Sequence, residues 1–144
     1  MQKDRARRCI AAARRARALG IGLLTGGYGR EELERAGAFR VYEDPADLLR
    51  HLAEHRIPLE VCLSSNVATR AVDALESHPL TAFVEAGVPV TINSDDPAYF
   101  GGYITDNLLA SQKALGLTRH DIYTLTRNAF EASFLGADEK QRLI

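Results

Sequence analysis

Two adjacent carboxylates, Asp95 and Asp96, directly follow the run Val88-Pro-Val-Thr-Ile-Asn-Ser94 and directly precede Pro97. β-Branched residues dominate Val88 to Ile92, so the run reads as a short buried strand. Acids just past the carboxyl end of such a strand lie where α/β proteins place their chemistry. Unpaired charges there are costly, so a metal, a cation or hydrogen bonds must compensate them. Two carboxylates aimed at one point also repel each other, and binding one of them to a cation resolves the conflict. The pair is the leading candidate site of the chain.

Other residues with chemical potential have simpler readings. His51 and His55 lie four apart, a spacing that could hold a metal on a helix. No H-E-x-x-H pattern surrounds them, and Glu54 and Arg56 suggest two solvent-exposed histidines instead. Gly26-Gly-Tyr-Gly29 could gather backbone N–H groups around a phosphate, but no Lys-Ser/Thr follows, and a plain turn is expected. Ser64 lacks a G-x-S-x-G context and an identifiable base, so it is expected to cap a helix together with Ser65 and Asn66.

The elements that must position the acids follow from hydrophobic pattern and punctuation. Residues 3–19 read as a helix stopped by Gly20, with Ile10, Ala13 and Leu19 turned inward and its arginines on a solvated face. Strands are expected at Ile21 to Thr25, Ala38 to Tyr42, Ile57 to Cys62 and Val88 to Ile92. Helices are expected at Arg30 to Ala36, from Pro45 to about His55, from Val67 to about Glu76, and from His78 to Ala86. Asp44 is the expected N-cap before Pro45, with Leu48, Leu49 and Leu52 as the buried stripe. After Pro97, the loop Ala98-Tyr-Phe-Gly-Gly102 suits either a flap at a site mouth or an aromatic plug of the core. Helices then run over Thr105 to Leu115, Thr118 to about Ser133, and from Asp138. Thr118 with Asp121 three residues on resembles a capping box. Strand–helix alternation argues parallel strands with helices outside. Four such units are about half of a (β/α)8 barrel, so the fold class is α/β, a partial TIM-type barrel of about four strand–helix units plus C-terminal helices. A small open α/β sheet is the alternative.

The bulk properties fit a single folding domain, residues 1–144. The chain is 46% hydrophobic and 26% charged, with a formal net charge of -1. That balance argues against disorder and suggests neither a nucleic-acid binder nor a membrane-surface protein. Lys3, Arg5, Arg7, Arg8, Arg14, Arg15 and Arg17 concentrate positive charge in the first helix, but no interleaved aromatics could stack bases. Cys9 and Cys62 have neither metal nor disulfide spacing, which suits a reducing cytoplasm. There is no signal-peptide pattern and no apolar run of membrane-spanning length.

Several separated motifs together resemble the C-terminal half of the adenosine/adenine deaminase family. They are Glu43-Asp44-Pro45, Ile57-Pro-Leu-Glu-Val-Cys-Leu-Ser-Ser-Asn66, His78-Pro79, Gly87-Val-Pro-Val-Thr-Ile-Asn-Ser-Asp-Asp-Pro97, Arg127-Asn-Ala-Phe130, Ser133-Phe134 and Glu139-Lys140. The resemblance covers about residues 41–144. It implies a zinc-dependent barrel that hydrolyses the exocyclic amine of a purine base or nucleoside and releases ammonia, with metal-activated water as the attacking group. It also implies that Asp95 is a metal ligand and that Asp96 holds the purine.

Departures from the family pattern are as informative. No His-x-His zinc pair is present. Where the family's fifth strand ends in His-Ala-Gly-Glu, this chain reads Leu24-Thr-Gly-Gly-Tyr-Gly29, and the family's catalytic histidine of the sixth strand falls on Gly37. Arg30, Glu31 and Glu32 follow, at no spacing that carries the lost acid's role. One of four protein zinc ligands therefore remains, and no catalytic residue is identifiable. The expectation is a truncated or degenerate deaminase, inactive or very weak alone. The alternative is a non-catalytic, oligomeric or purine-binding half barrel that pairs with a second copy or with a chain supplying the missing strands.

Overall fold

The structure is a computed structural model describing residues 3–144, with side chains described from Arg8 onward. The chain divides into two compact units, Met1–His51 and Leu52–Ile144.

In the first unit, α1 (Lys3–Arg15) is followed by β1 (Ile21–Leu23), α2 (Arg30–Arg35) and β2 (Arg40–Tyr42), and α3 (Pro45–Glu54) begins there. β1 and β2 pair in parallel, with Gly22 opposite Val41. Ile10, Leu33 and Val41 form the core of this unit. Arg8, Arg14, Arg15 and Arg17 are exposed, as expected of a solvated face. The side chains of Lys3, Asp4, Arg5 and Arg7 lie outside the described residues. The helix is shorter than expected: it ends at Arg15, and Arg17 takes a left-handed conformation with φ 58°. With the helical phase lost, Leu19 is not turned inward but is 70% exposed. Gly20, five residues past the end of α1, is not what stops the helix.

In the second unit, β3 (Leu59–Val61) leads into α4 (Leu63–Ala68), then α5 (Leu80–Glu85), β4 (Val90–Ile92), α6 (Pro97–Phe100), α7 (Ile104–Leu115), α8 (Arg119–Ala132) and α9 (Ala137–Leu143). β3 and β4 pair in parallel, with Val61 opposite Ile92. Val90, Thr91 and Ile92 are all buried, as befits a parallel strand covered on both faces. Leu63, Leu80 and Leu125 complete the core, each burial worth roughly 1.5–3 kcal/mol. α8 is locked to the strand by Asn128, whose amide Nδ2 donates to the Val90 carbonyl at 2.9 Å.

Local signals fixed several boundaries as expected. Asp44 Oδ1 accepts from Asp47 N ahead of α3, and the Thr118 hydroxyl accepts from Asp121 N ahead of α8. The Leu48, Leu49, Leu52 stripe is half-buried rather than buried. The segment Leu63–Asn66 departs most. It does not cap a helix over Val67–Glu76 but is itself the first turn of α4, because Leu63 must be fully buried and carries the turn inward.

Five helix ends share one pattern. The residue two past the helix adopts positive φ and donates to the carbonyl three back, while the next N–H reaches the carbonyl five back. This Schellman arrangement favours glycine. Gly37 and Gly87 obey, whereas Arg17, Arg56 and Arg70 occupy the same position at φ 58°, 50° and 57°. Arg70→Gly should therefore raise the unfolding free energy by about 0.5–1 kcal/mol, measured by urea denaturation, as relief of left-handed strain outweighs the entropy of an added glycine.

Candidate functional site

The carboxyl ends of β3 and β4 lie side by side in the second unit, and they gather Cys62, Ser64, Asn66, Asp95 and Asp96. Both acids are exposed. Asp95 is held at φ 56°, a left-handed conformation that aspartate tolerates better than most residues. It lies against Cys62. Burial pushes the Cys62 thiol pKa up, the Asp95 negative charge adds to the rise, and a hydrogen bond from the Asp95 backbone opposes both. Cys62 is therefore a protonated, poorly nucleophilic thiol at neutral pH.

Asp96 turns to a different task. Its Oδ1 accepts from Ala98 N at 3.0 Å and from Tyr99 N at 3.2 Å, so it N-caps α6. The expected irregular loop is thus a single helical turn. Tyr99 does not plug the core, being 81% exposed with its ring edge-on to Phe100. Adjacent in sequence, the two acids are used differently: the Asp96 carboxylate caps α6, and Asp95 meets Cys62 through its backbone.

A buried polar layer lies behind the acids, and the sequence reading assigned its members to capping or not at all. The Ser64 hydroxyl donates to Asn107 Oδ1 at 2.6 Å, so its role is a tertiary bond rather than a cap. His78 is 4% exposed. Leu80 N–H donates to its Nδ1 at 3.1 Å, which leaves the neutral ring's proton on Nε2. Nε2 lies 3.1 Å from Asn66 Nδ2, and a protonated Nε2 calls for the amide to be turned so that its oxygen accepts. The legible signal for this layer was polar residues on an apolar face: Asn107 and Ser111, one helical turn apart, are both buried.

The remaining candidates are placed elsewhere. His51 is half-buried rather than exposed, with its ring 5.4 Å from that of Tyr42 and Arg40 Nη1 against its nitrogens. His55 is exposed. Arg30 donates to the Val41 carbonyl, and Glu31 pairs with Arg35 on the surface. Leu24–Gly26 forms a 3-10 turn. A groove of about 470 Å3 lies at the opposite end of β4, beside Val88, Pro89 and His120, and contains neither acid.

Among the described residues, no three His, Cys, Asp or Glu side chains converge as a metal would require. Catalytic zinc sites use three or more protein ligands. The donors present here therefore do not fit a self-contained catalytic zinc centre. Among the described residues, no helix is long and apolar enough to cross a membrane.

The chain belongs to the adenosine deaminase family: residues 32–144 match its sequence profile, nine residues further toward the N-terminus than the motifs alone indicated. It is 53% identical over 103 residues to an adenine deaminase of Streptomyces coelicolor, covering 72% of this chain and 30% of that protein. It is 54% identical over 101 residues to an aminodeoxyfutalosine deaminase of the same organism, covering 70% of this chain and 26% of the other. The crystal structure of adenine deaminase from Arthrobacter aurescens superposes with a TM-score of 0.67 at 34% identity, over 95% of this chain and 45% of that one. A Burkholderia ambifaria amidohydrolase with bound Zn shares the fold, with a TM-score of 0.62 at 17% identity over 94% of this chain and 41% of that one. The chain thus spans less than a third of the two Streptomyces relatives.

Burial holds the His78 pKa below its ordinary 6.5. In the unfolded chain the ring recovers that ordinary value, so on acidification the unfolded state binds the proton first. The stability that His78 contributes is complete above pH 6.5 and is lost as pH falls toward the depressed folded value. Thermal melts at about pH 7.5 and about pH 5.5 should show a larger fall in Tm for the native chain than for His78→Gln. Equal falls would mean that the neutral buried ring is not what responds.

Proposed function

We propose that this chain is the C-terminal half of a purine deaminase (β/α)8 barrel, in which Asp96 contacts the purine and Asp95 is one ligand of a zinc site. The substrate class is a purine base or nucleoside whose exocyclic amine is replaced by oxygen, with release of ammonia. The observation that carries this reading is the Val88–Pro97 segment. Its two acids stand past the carboxyl end of a fully buried parallel strand; the Asp96 carboxylate caps α6, while that of Asp95 makes no hydrogen bond among the described residues. Such a division suits one carboxylate for a cation and one for an organic ligand. The remaining zinc donors and the proton-transfer groups are not among the described residues, so no catalytic step is assigned to this chain and it is proposed to be inactive alone.

After dialysis against zinc, the purified chain should hold well under one metal ion per molecule by elemental mass spectrometry. It should also release no ammonia from adenine or adenosine above background. Stoichiometric zinc with ammonia release abolished by Asp95→Ala would overturn the claim of inactivity. Any adenine binding, followed by NMR shifts of the Ala98 and Tyr99 amides, should weaken about tenfold or more in Asp96→Ala, because a lost hydrogen bond to a charged group is worth about 1.5–3 kcal/mol.

A second reading, an associating half barrel without catalysis, is favoured by the first unit. Leu19 is 70% exposed and Phe39 is 65% exposed, both beside the paired starts of β1 and β2. Surface this apolar, next to strand edges, favours association. Light scattering should show a mass that rises with concentration, and Phe39→Glu should return it to the monomer. A constant monomer mass for the native chain would remove this reading.

A further inference from the structure

Asp96 presents only half of its carboxylate. Oδ1 is taken by Ala98 N and Tyr99 N, while Oδ2 has no hydrogen-bond partner among the described residues. Where Oδ2 points depends on where α6 sits, and α6 is one turn long. A single turn has no internal means of holding its position.

Its far end, however, is fastened. Gly101 N–H donates to the Pro97 carbonyl at 3.0 Å, closing the turn. Gly101 and Gly102 then reverse the chain at φ 76° and 79°. With ψ 152°, Gly101 occupies a region essentially restricted to glycine. The Asn107 amide fills the reversal: Nδ2 donates to the Gly102 carbonyl at 3.1 Å and to the Tyr103 carbonyl at 3.0 Å. Oδ1 of the same amide accepts from the Ser64 hydroxyl on α4. Asn107 is 2% exposed, so each of its bonds is made away from water and is costly to leave unmade.

We propose that Ser64 and Asn107 form a latch that positions Asp96. Through the Gly101–Gly102 reversal, the latch ties the end of α6 to the helix that follows β3, and so fixes the direction of the free oxygen Oδ2. Asn107 is a positioning residue: it touches no ligand and acts through the turn that Asp96 caps. The proposal rests on the reading of Asp96 as the purine contact, but its test needs no purine.

The test is amide exchange with solvent, measured by NMR on the intact chain. In Asn107→Ala, exchange at Ala98 and Tyr99 should accelerate about tenfold or more while Ile92, in the core of the same unit, is unchanged. Because Asn107 is buried and its truncation could unfold the unit, Ser64→Ala is measured in parallel. It removes only the bond to α4 and should accelerate the same two amides, and Ser64→Thr, which keeps the hydroxyl, should restore the native rates. Unchanged rates at Ala98 and Tyr99 in Ser64→Ala would overturn the latch. An equal acceleration at Ile92 would overturn it too, since that is general destabilisation. Failure of purine binding in the native chain would touch the proposed function and leave these rates as they are.

Discussion

The burial of β4 on both faces is the constraint from which the site follows. Val90, Thr91 and Ile92 have no solvent side, so every polar group on the strand must be satisfied inside. The Asn128 amide takes the Val90 carbonyl. Thr91 Oγ1 accepts from Asn93 Nδ2 at 2.8 Å, and Asn93 N donates to the Val61 carbonyl at 2.9 Å, which carries the β3–β4 pairing to the last residue before the chain turns out. Only past Asn93 can charges appear without crossing the core. Asp95 and Asp96 are therefore where they are because β4 is inside and ends there.

The same logic explains why the segments around the acids are held by side-chain amides and hydroxyls. Cys62 follows β3 and leads directly into the short α4, whereas Asn93 follows β4 and three residues, Ser94 to Asp96, precede the short α6. Turns of this length cannot stabilise themselves. Ser64, Asn66, His78 and Asn107 supply the missing rigidity through hydrogen bonds that span 12 and 43 residues of sequence. Each bond is worth little net, but its loss would strand a buried donor or acceptor, so the layer works as a unit.

That distinction between local and distant bonds divides what the sequence revealed from what it hid. Strands, helix starts and the family itself were readable because Val88–Ile92, Asp44-Pro45 and Thr118-x-x-Asp121 carry their signal within a few residues. The position of Asp95 and Asp96 past the end of β4 was legible for the same reason. Leu63–Asn66 was misread because Ser and Asn look like caps when only their neighbours are visible. Here Asn107 and His78, far away in sequence, decide what they do. The end of α1 was misplaced because Arg17 does at φ 58° what glycine usually does. The inward assignment of Leu19 failed with it.

Asp95 brings these threads together. A left-handed aspartate costs on the order of 1 kcal/mol, and strain of this kind persists where surrounding structure enforces it. The enforcing structure is visible on both sides: the β4 ladder before it, and the α6 turn capped by its neighbour after it. At φ 56° the chain turns sharply between Ser94 and Asp96, and Asp95 stays beside Cys62. The cap itself is local: Asp96 is extended at φ -94° and ψ 98°, as an N-cap residue is, and its Oδ1 reaches Ala98 N and Tyr99 N within its own turn. The acid pair is thus placed by the elements on either side of it, the β4 ladder before Asp95 and the α6 turn after Asp96.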